Sequence, residues 1–151
     1  MTGIIVVGVD GSETAQMAAE AASDIALALG TSLHVVTAFD NDRTEVFGTG
    51  SDRKIVSGAD DAEEIARNSA ASLNAQNLRI EYFAVKGSPA QALVKQAETY
   101  RARMIVVGNK RMQGLGRVLG NVASHVAHHA PCDVLIAKTD DIPSSKREGR
   151  Q

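Results

Sequence analysis

The sequence predicts an α/β fold: a doubly wound, five-stranded parallel sheet in the order 3-2-1-4-5, with helices on both faces. Three observations carry this. Short apolar runs rich in Val and Ile, such as Ile4–Val7 and Met104–Val107, are too brief for helices and read as buried strands. Between the runs, apolar residues recur at steps of three and four, the period of an amphipathic helix. Five strands alternate with four helices in this reading, and such alternation implies crossover connections and a parallel sheet.

Strand 1, Gly3–Val9, ends at Asp10-Gly11-Ser12. Ser12 is placed to cap the next helix, and Glu13 suits its first turn. Ala15, Ala18, Ala22, Ile25 and Leu29 form that helix's inward stripe, small enough for close approach to a sheet, and Gly30 ends it. Strand 2 is Leu33–Ala38. The stretch Asp40–Gly58 is polar, contains Gly48, Gly50 and Gly58, and shows no period. It reads as a long loop, a length that marks function or disorder in a compact domain.

Asp61-Ala-Glu-Glu64 resembles a capping box opening a helix through about Ala75, with Ala62, Ile65, Ala66 and Leu73 inward. Strand 3, Arg79–Val85, alternates in its first part as an edge strand does. Ser88-Pro-Ala-Gln91 is a strong helix start, with Ser at the N-cap, Pro at the first helical position and Gln two residues later. After strand 4, Met104–Val107, a helical period begins at Val118, Val122 and Val126. Pro131 stops that helix, and Val134–Ala137 is the last buried strand. Residues 1–138 therefore form one domain, and 139–151 read as a disordered tail.

At 151 residues and 44% hydrophobic, the chain suits one domain with a sizeable core. No run approaches a membrane span of about 20 residues, and Thr2-Gly-Ile-Ile lacks a signal-peptide start. One cysteine, Cys132, excludes an internal disulfide and suits a reducing cytoplasm. Charge is lopsided: residues 1–78 carry 4 Lys/Arg against 12 Asp/Glu, and residues 79–151 carry 12 against 6. Aromatics are 3% with no Trp, which leaves few stacking platforms for nucleic acid.

The richest segment follows strand 4. From Gly108 to Asn121, Lys110, Arg111 and Arg117 are interleaved with Gly114, Gly116 and Gly120 before a helix begins. Strand, basic glycine loop and helix N-terminus together aim backbone amides and a positive helix end at one spot, where a phosphate can sit. In the order 3-2-1-4-5, strands 1 and 4 are neighbours and the connection reverses between them. Ligands bind beyond the carboxyl ends at such a switch point, which Asp10 and Gly108 leave together.

These parts resemble the universal stress protein (UspA-like) family. The likeness runs from Ile4 to Lys138: Val7-Gly-Val-Asp10-Gly-Ser-Glu13, Leu33-His-Val35, Val85-Lys-Gly-Ser-Pro89, Val107-Gly-Asn109 and His129-Ala-Pro-Cys-Asp-Val-Leu-Ile136. It implies a Rossmann-like fold of the adenine nucleotide alpha hydrolase type, and a homodimer paired through the last strands. It implies a cytoplasmic stress-response protein whose cofactor is ATP or another adenine nucleotide, with or without Mg²⁺. Asp10 would hold the ribose, and Val35 would meet the base through its backbone. Gly108, Gly120 and Asn121 would line the phosphates, with Lys110 and Arg111 adding charge. The family's phosphate pattern of Gly, two residues, Gly, nine residues, Gly-Ser/Thr is altered here. Arg111 stands at the second glycine, eight residues separate it from Gly120, and Asn121 replaces the hydroxyl residue.

Rival readings attach to several residues. Asp10 could serve only as a turn residue and helix-dipole partner. A receiver-type phosphoacceptor is disfavoured, because Lys86 stands near the end of the third strand where that chemistry needs an acid. His125 and His129 have a metal-ligand spacing, yet no acid or second Cys completes a set, and dipole contacts at a helix C-terminus account for them. Ser12 has no base partner in sequence, so no efficient enzyme is expected, at most slow ATP hydrolysis. The altered loop also leaves open a nucleotide-free dimeric interaction module. No nucleic-acid or membrane partner is expected.

Overall fold

The computed structural model describes residues 3–40, 44–47, 54–73, 75–109 and 120–139; for 44–47 and 54–57 the description is of the backbone. The order along the chain is β1 (Ile5–Gly8), α1 (Glu13–Leu29), β2 (Leu33–Phe39), β3 (Thr44–Phe47), β4 (Lys54–Ser57), α2 (Gly58–Ser72), β5 (Ile80–Lys86), α3 (Pro89–Tyr100), β6 (Met104–Gly108), α4 (Asn121–His129) and β7 (Asp133–Ala137). The main sheet runs β5-β2-β1-β6-β7, all neighbours parallel, which is the expected 3-2-1-4-5 order counted over its five strands. β1 and β6 are paired at Ile5–Met104 and Val7–Val106, so the switch point falls between them.

Both faces of the central strands are buried, which is why they read as unbroken apolar runs. Ile5, Val7, Leu33, Val35 and Val106 pack beneath α1 and α2, against Ala18, Ala19, Ala22, Ala26 and Ala66. Val6, Val36, Ile105 and Val107 pack beneath α3 and α4, against Ala90, Leu93, Ala97, Ala123 and Val126. Each fully buried Val contributes about 1.5–3 kcal/mol relative to exposure. The alanine stripe of α1 lets its backbone lie close over β1.

Caps fall where the sequence expects them. Ser12 Oγ accepts from the Ala15 amide at 3.2 Å, and Gly30 takes a left-handed φ of 67° at the other end of α1. Ser88 and Gln91 form a reciprocal capping box at α3, with the Gln91 amide to Ser88 Oγ at 3.2 Å and the Ser88 amide to Gln91 Oε1 at 3.0 Å.

Three expectations need correction. The Asp40–Gly58 stretch holds an antiparallel two-stranded ribbon, Thr44–Ser57 to Phe47–Lys54 in register; four-residue strands are too short to announce a period. The second helix starts at Gly58 directly from β4, so Asp61 lies in its first turn instead of capping it. As the sequence expects, α4 begins just after the last glycine of the loop, with Gly120 at its N-cap and Asn121 as its first residue. Thr139, assigned to the tail by sequence, is buried with the domain, while 140–151 lie outside the described residues.

Candidate functional site

A cleft opens beyond the carboxyl ends of the three central strands. It offers about 190 Å³ of space. Gly8, Val9 and Asp10 come from the end of β1; Val36, Thr37 and Ala38 from β2; Val107 and Gly108 from β6. Ser12, Thr14 and Ala15 from the start of α1 close one side, and Pro89, Ala92 and Leu93 from α3 close the other. Val122 of α4 and Thr139 complete the wall.

Asp10 and Gly108, about a hundred residues apart in sequence, thus share one crevice, as the switch-point argument expects. The Asp10 carboxylate is exposed and accepts the Ser12 amide on Oδ1 at 2.9 Å, which orients the group across a turn opened by Gly11 at φ 87°. The turn role and a ligand-facing role are therefore compatible. Gly108 is closely packed: a Cβ there would stand 3.0 Å from Thr139 Oγ1, so that side chain would have to give by a few tenths of an ångström.

Three helices begin around the cleft, and their ends differ. α1 is capped by Ser12 and α3 by Ser88, whereas Gly120 at the start of α4 has no side chain to offer. Of the three, α4 presents the N-terminal amides that no N-cap side chain takes, at the β6 end of the cleft. Gly120 and Asn121 sit at that helix start, and Val122 is the α4 residue in the cleft wall. Lys110 and Arg111 lie outside the described residues.

Val35 stands elsewhere. It is fully buried in the core beneath α1 and is not part of the cleft wall. Successive residues of a parallel strand turn their amide and carbonyl to alternate neighbours. The Val36 carbonyl accepts from Val9 on the β1 side at 2.9 Å, and the Phe39 carbonyl from Gly87 on the β5 side at 2.8 Å. Val35 hence faces β5, where it pairs with Tyr82, while Ala38 faces β1 beyond the last pair, Gly8–Val36. Thr37 and Thr139 are further wall residues that no motif in the sequence singles out.

Ser12 Oγ is engaged as a helix cap and lies 3.3 Å from Thr14 Oγ1. Among the described residues there is no group of three His, Cys, Asp or Glu that could hold a metal ion. His129 Nδ1 bonds the His125 carbonyl at 2.9 Å, in the last turn of α4 where the dipole favours it. Burial, with Asp133 beside it, pushes the Cys132 thiol up and away from thiolate reactivity.

The universal stress protein family model matches residues 1–138. The chain belongs to the universal stress protein family. A universal stress protein of Mycobacterium tuberculosis strain H37Rv is 32% identical over 149 residues, covering 89% of this chain and 95% of the relative. A universal stress protein crystallised in complex with cAMP superposes with a TM-score of 0.70 at 30% identity, covering 92% of this chain and 98% of that one. The Archaeoglobus fulgidus universal stress protein, solved in complex with dAMP, shares the fold at a TM-score of 0.65 and 21% identity, covering 90% of this chain and 97% of that one. Among the described residues, no helix of this universal stress protein is long and apolar enough to cross a membrane.

Proposed function

We propose that this universal stress protein binds an adenine nucleotide at the switch point between β1 and β6 and acts in the cytoplasm as a dimeric sensor or regulator. The single observation that carries the reading is that Asp10 and Gly108 line the same cleft. Strand order then distributes the ligand. The phosphates lie toward β6 and α4, over the amides of Gly108, Gly120 and Asn121, with Lys110 and Arg111 supplying charge. The ribose lies at β1, against the Asp10 carboxylate. The base lies at β2, where the backbone of Ala38, in preference to that of Val35, turns toward the cleft. The cAMP complex of a relative at 30% identity supports a nucleotide of this class.

Titration calorimetry with AMP, ADP, ATP and cAMP tests the reading directly. A carboxylate–hydroxyl bond is worth about 1.5–3 kcal/mol, so Asp10→Ala should weaken ribose nucleotides by roughly 10- to 100-fold with the circular dichroism spectrum unchanged. Should the variant unfold while its folded fraction keeps full affinity, Asp10 is a turn residue only. The dimer rests on β7, an edge strand with Ile136 38% exposed, a row that needs a cover. Analytical ultracentrifugation checks it. The substitution of Arg111 for a glycine favours a second reading, an interaction module without nucleotide; no heat with any of the four ligands would establish that reading over the first.

A further inference from the structure

We infer that Thr37 reads the base: its buried hydroxyl, which no group among the described residues engages, is the hydrogen-bond partner of the base of the bound nucleotide. This rests on the nucleotide reading above. Leu33, Val35 and Thr37 point to the same face of β2, and the first two are fully buried and apolar. Thr37 extends that row to the end of the strand, where it is 4% exposed and forms part of the cleft wall. Among the described residues its Oγ1 has no hydrogen-bond partner.

Valine would fill the position with the same β-branched shape and the same preference for a strand. A buried hydroxyl without a partner only destabilises the fold, so the architecture by itself gives no reason for threonine here. A ligand does. Across the sheet the order is β2, β1, β6, and with the phosphates at β6 and the sugar at β1 the base is the part that reaches β2. A hydroxyl both donates and accepts, so it can pair with an exocyclic amino group or with a ring nitrogen.

The experiment compares wild type, Thr37→Val and Thr37→Ser by calorimetry with AMP, by competition with GMP, and by thermal melting without ligand. Expected for Thr37→Val is an AMP affinity about ten-fold lower, a changed ratio of AMP to GMP affinity, and a higher melting temperature. Thr37→Ser keeps the hydroxyl and should bind within about three-fold of wild type. An unchanged affinity in Thr37→Val, equal weakening of AMP and GMP, or a lower melting temperature each overturns the inference while leaving the nucleotide reading intact. Wild type that binds no adenine nucleotide overturns both.

Discussion

Thr37 and Thr139 are the same residue type, both in the wall of one cleft and both buried, at 4% and 1% exposure, yet their hydroxyls meet different fates. Thr139 Oγ1 and its amide both turn to Asn109 Oδ1, the hydroxyl at 3.1 Å, and the Asn109 amide reaches the Ala137 carbonyl at 3.1 Å. These contacts clip the end of β6 to the residues after β7. At the β2 end, Thr37 Oγ1 has no such partner among the described residues. His34, three residues upstream on the same strand, behaves like Thr139. The Gln96 amide nitrogen lies 2.9 Å from Nδ1, so with this orientation Nδ1 accepts and Nε2 carries the hydrogen toward Glu81 Oε2 at 3.4 Å. Phe83 and Tyr100 pack its ring at centroid distances of 4.6 and 4.9 Å. The polar groups of Thr139 and His34 are satisfied from within the fold, whereas the Thr37 hydroxyl, buried in the cleft wall, is not satisfied by any described residue.

The largest test of this contrast removes His34. His34→Ala deletes packing against two rings and strands the Gln96 amide, so urea denaturation should show a loss of about 2–4 kcal/mol. Thr139→Val should cost about 1 kcal/mol, because one of the two bonds to Asn109 disappears. Thr37→Val should have the opposite sign, a gain of about 1 kcal/mol in ligand-free protein. If both threonine variants move in the same direction, the contrast between them collapses.

The smallest expected effect is on pH. Burial holds the His34 imidazole below its ordinary 6.5, and the neighbouring Glu81 charge opposes the shift without cancelling it. The unfolded chain therefore binds this proton more readily than the folded one. His34 leaves stability unaffected above about pH 6.5 and lowers it as pH falls from 6.5 toward the depressed folded value. Melting temperatures of wild type and His34→Gln across that window should show a steeper acid-side decline in wild type. Parallel curves would mean that His34 does not titrate differently in the folded state.

Much of the fold was legible because its signals are local. Ser12, Gly30 and the Ser88–Gln91 box announce their caps through neighbouring residues, and runs such as Ile105–Val107 announce strands buried on both faces. Adjacent β1 and β6 were inferable from topology, and with them the meeting of Asp10 and Gly108. The β3–β4 ribbon escaped because four residues carry too little period, and Asp61-Ala-Glu-Glu64 misled because a capping box is equally well formed inside a first turn. Val35 shows a different limit. Its position on β2 was plain, but the side to which its backbone turns depends on register with Tyr82.

The sequence by itself determined the layer order and the strand ends of the main sheet, since propensity, period and capping act over a few residues, and its motifs carried the family resemblance. Only the tertiary structure decided that Ala38 instead of Val35 faces the cleft, that Asn109 engages Thr139, and that the Thr37 hydroxyl stands alone among the described side chains. The physical reason is that a hydrogen bond across the fold requires two distant segments to arrive in register, and a single residue type carries no record of what arrives beside it.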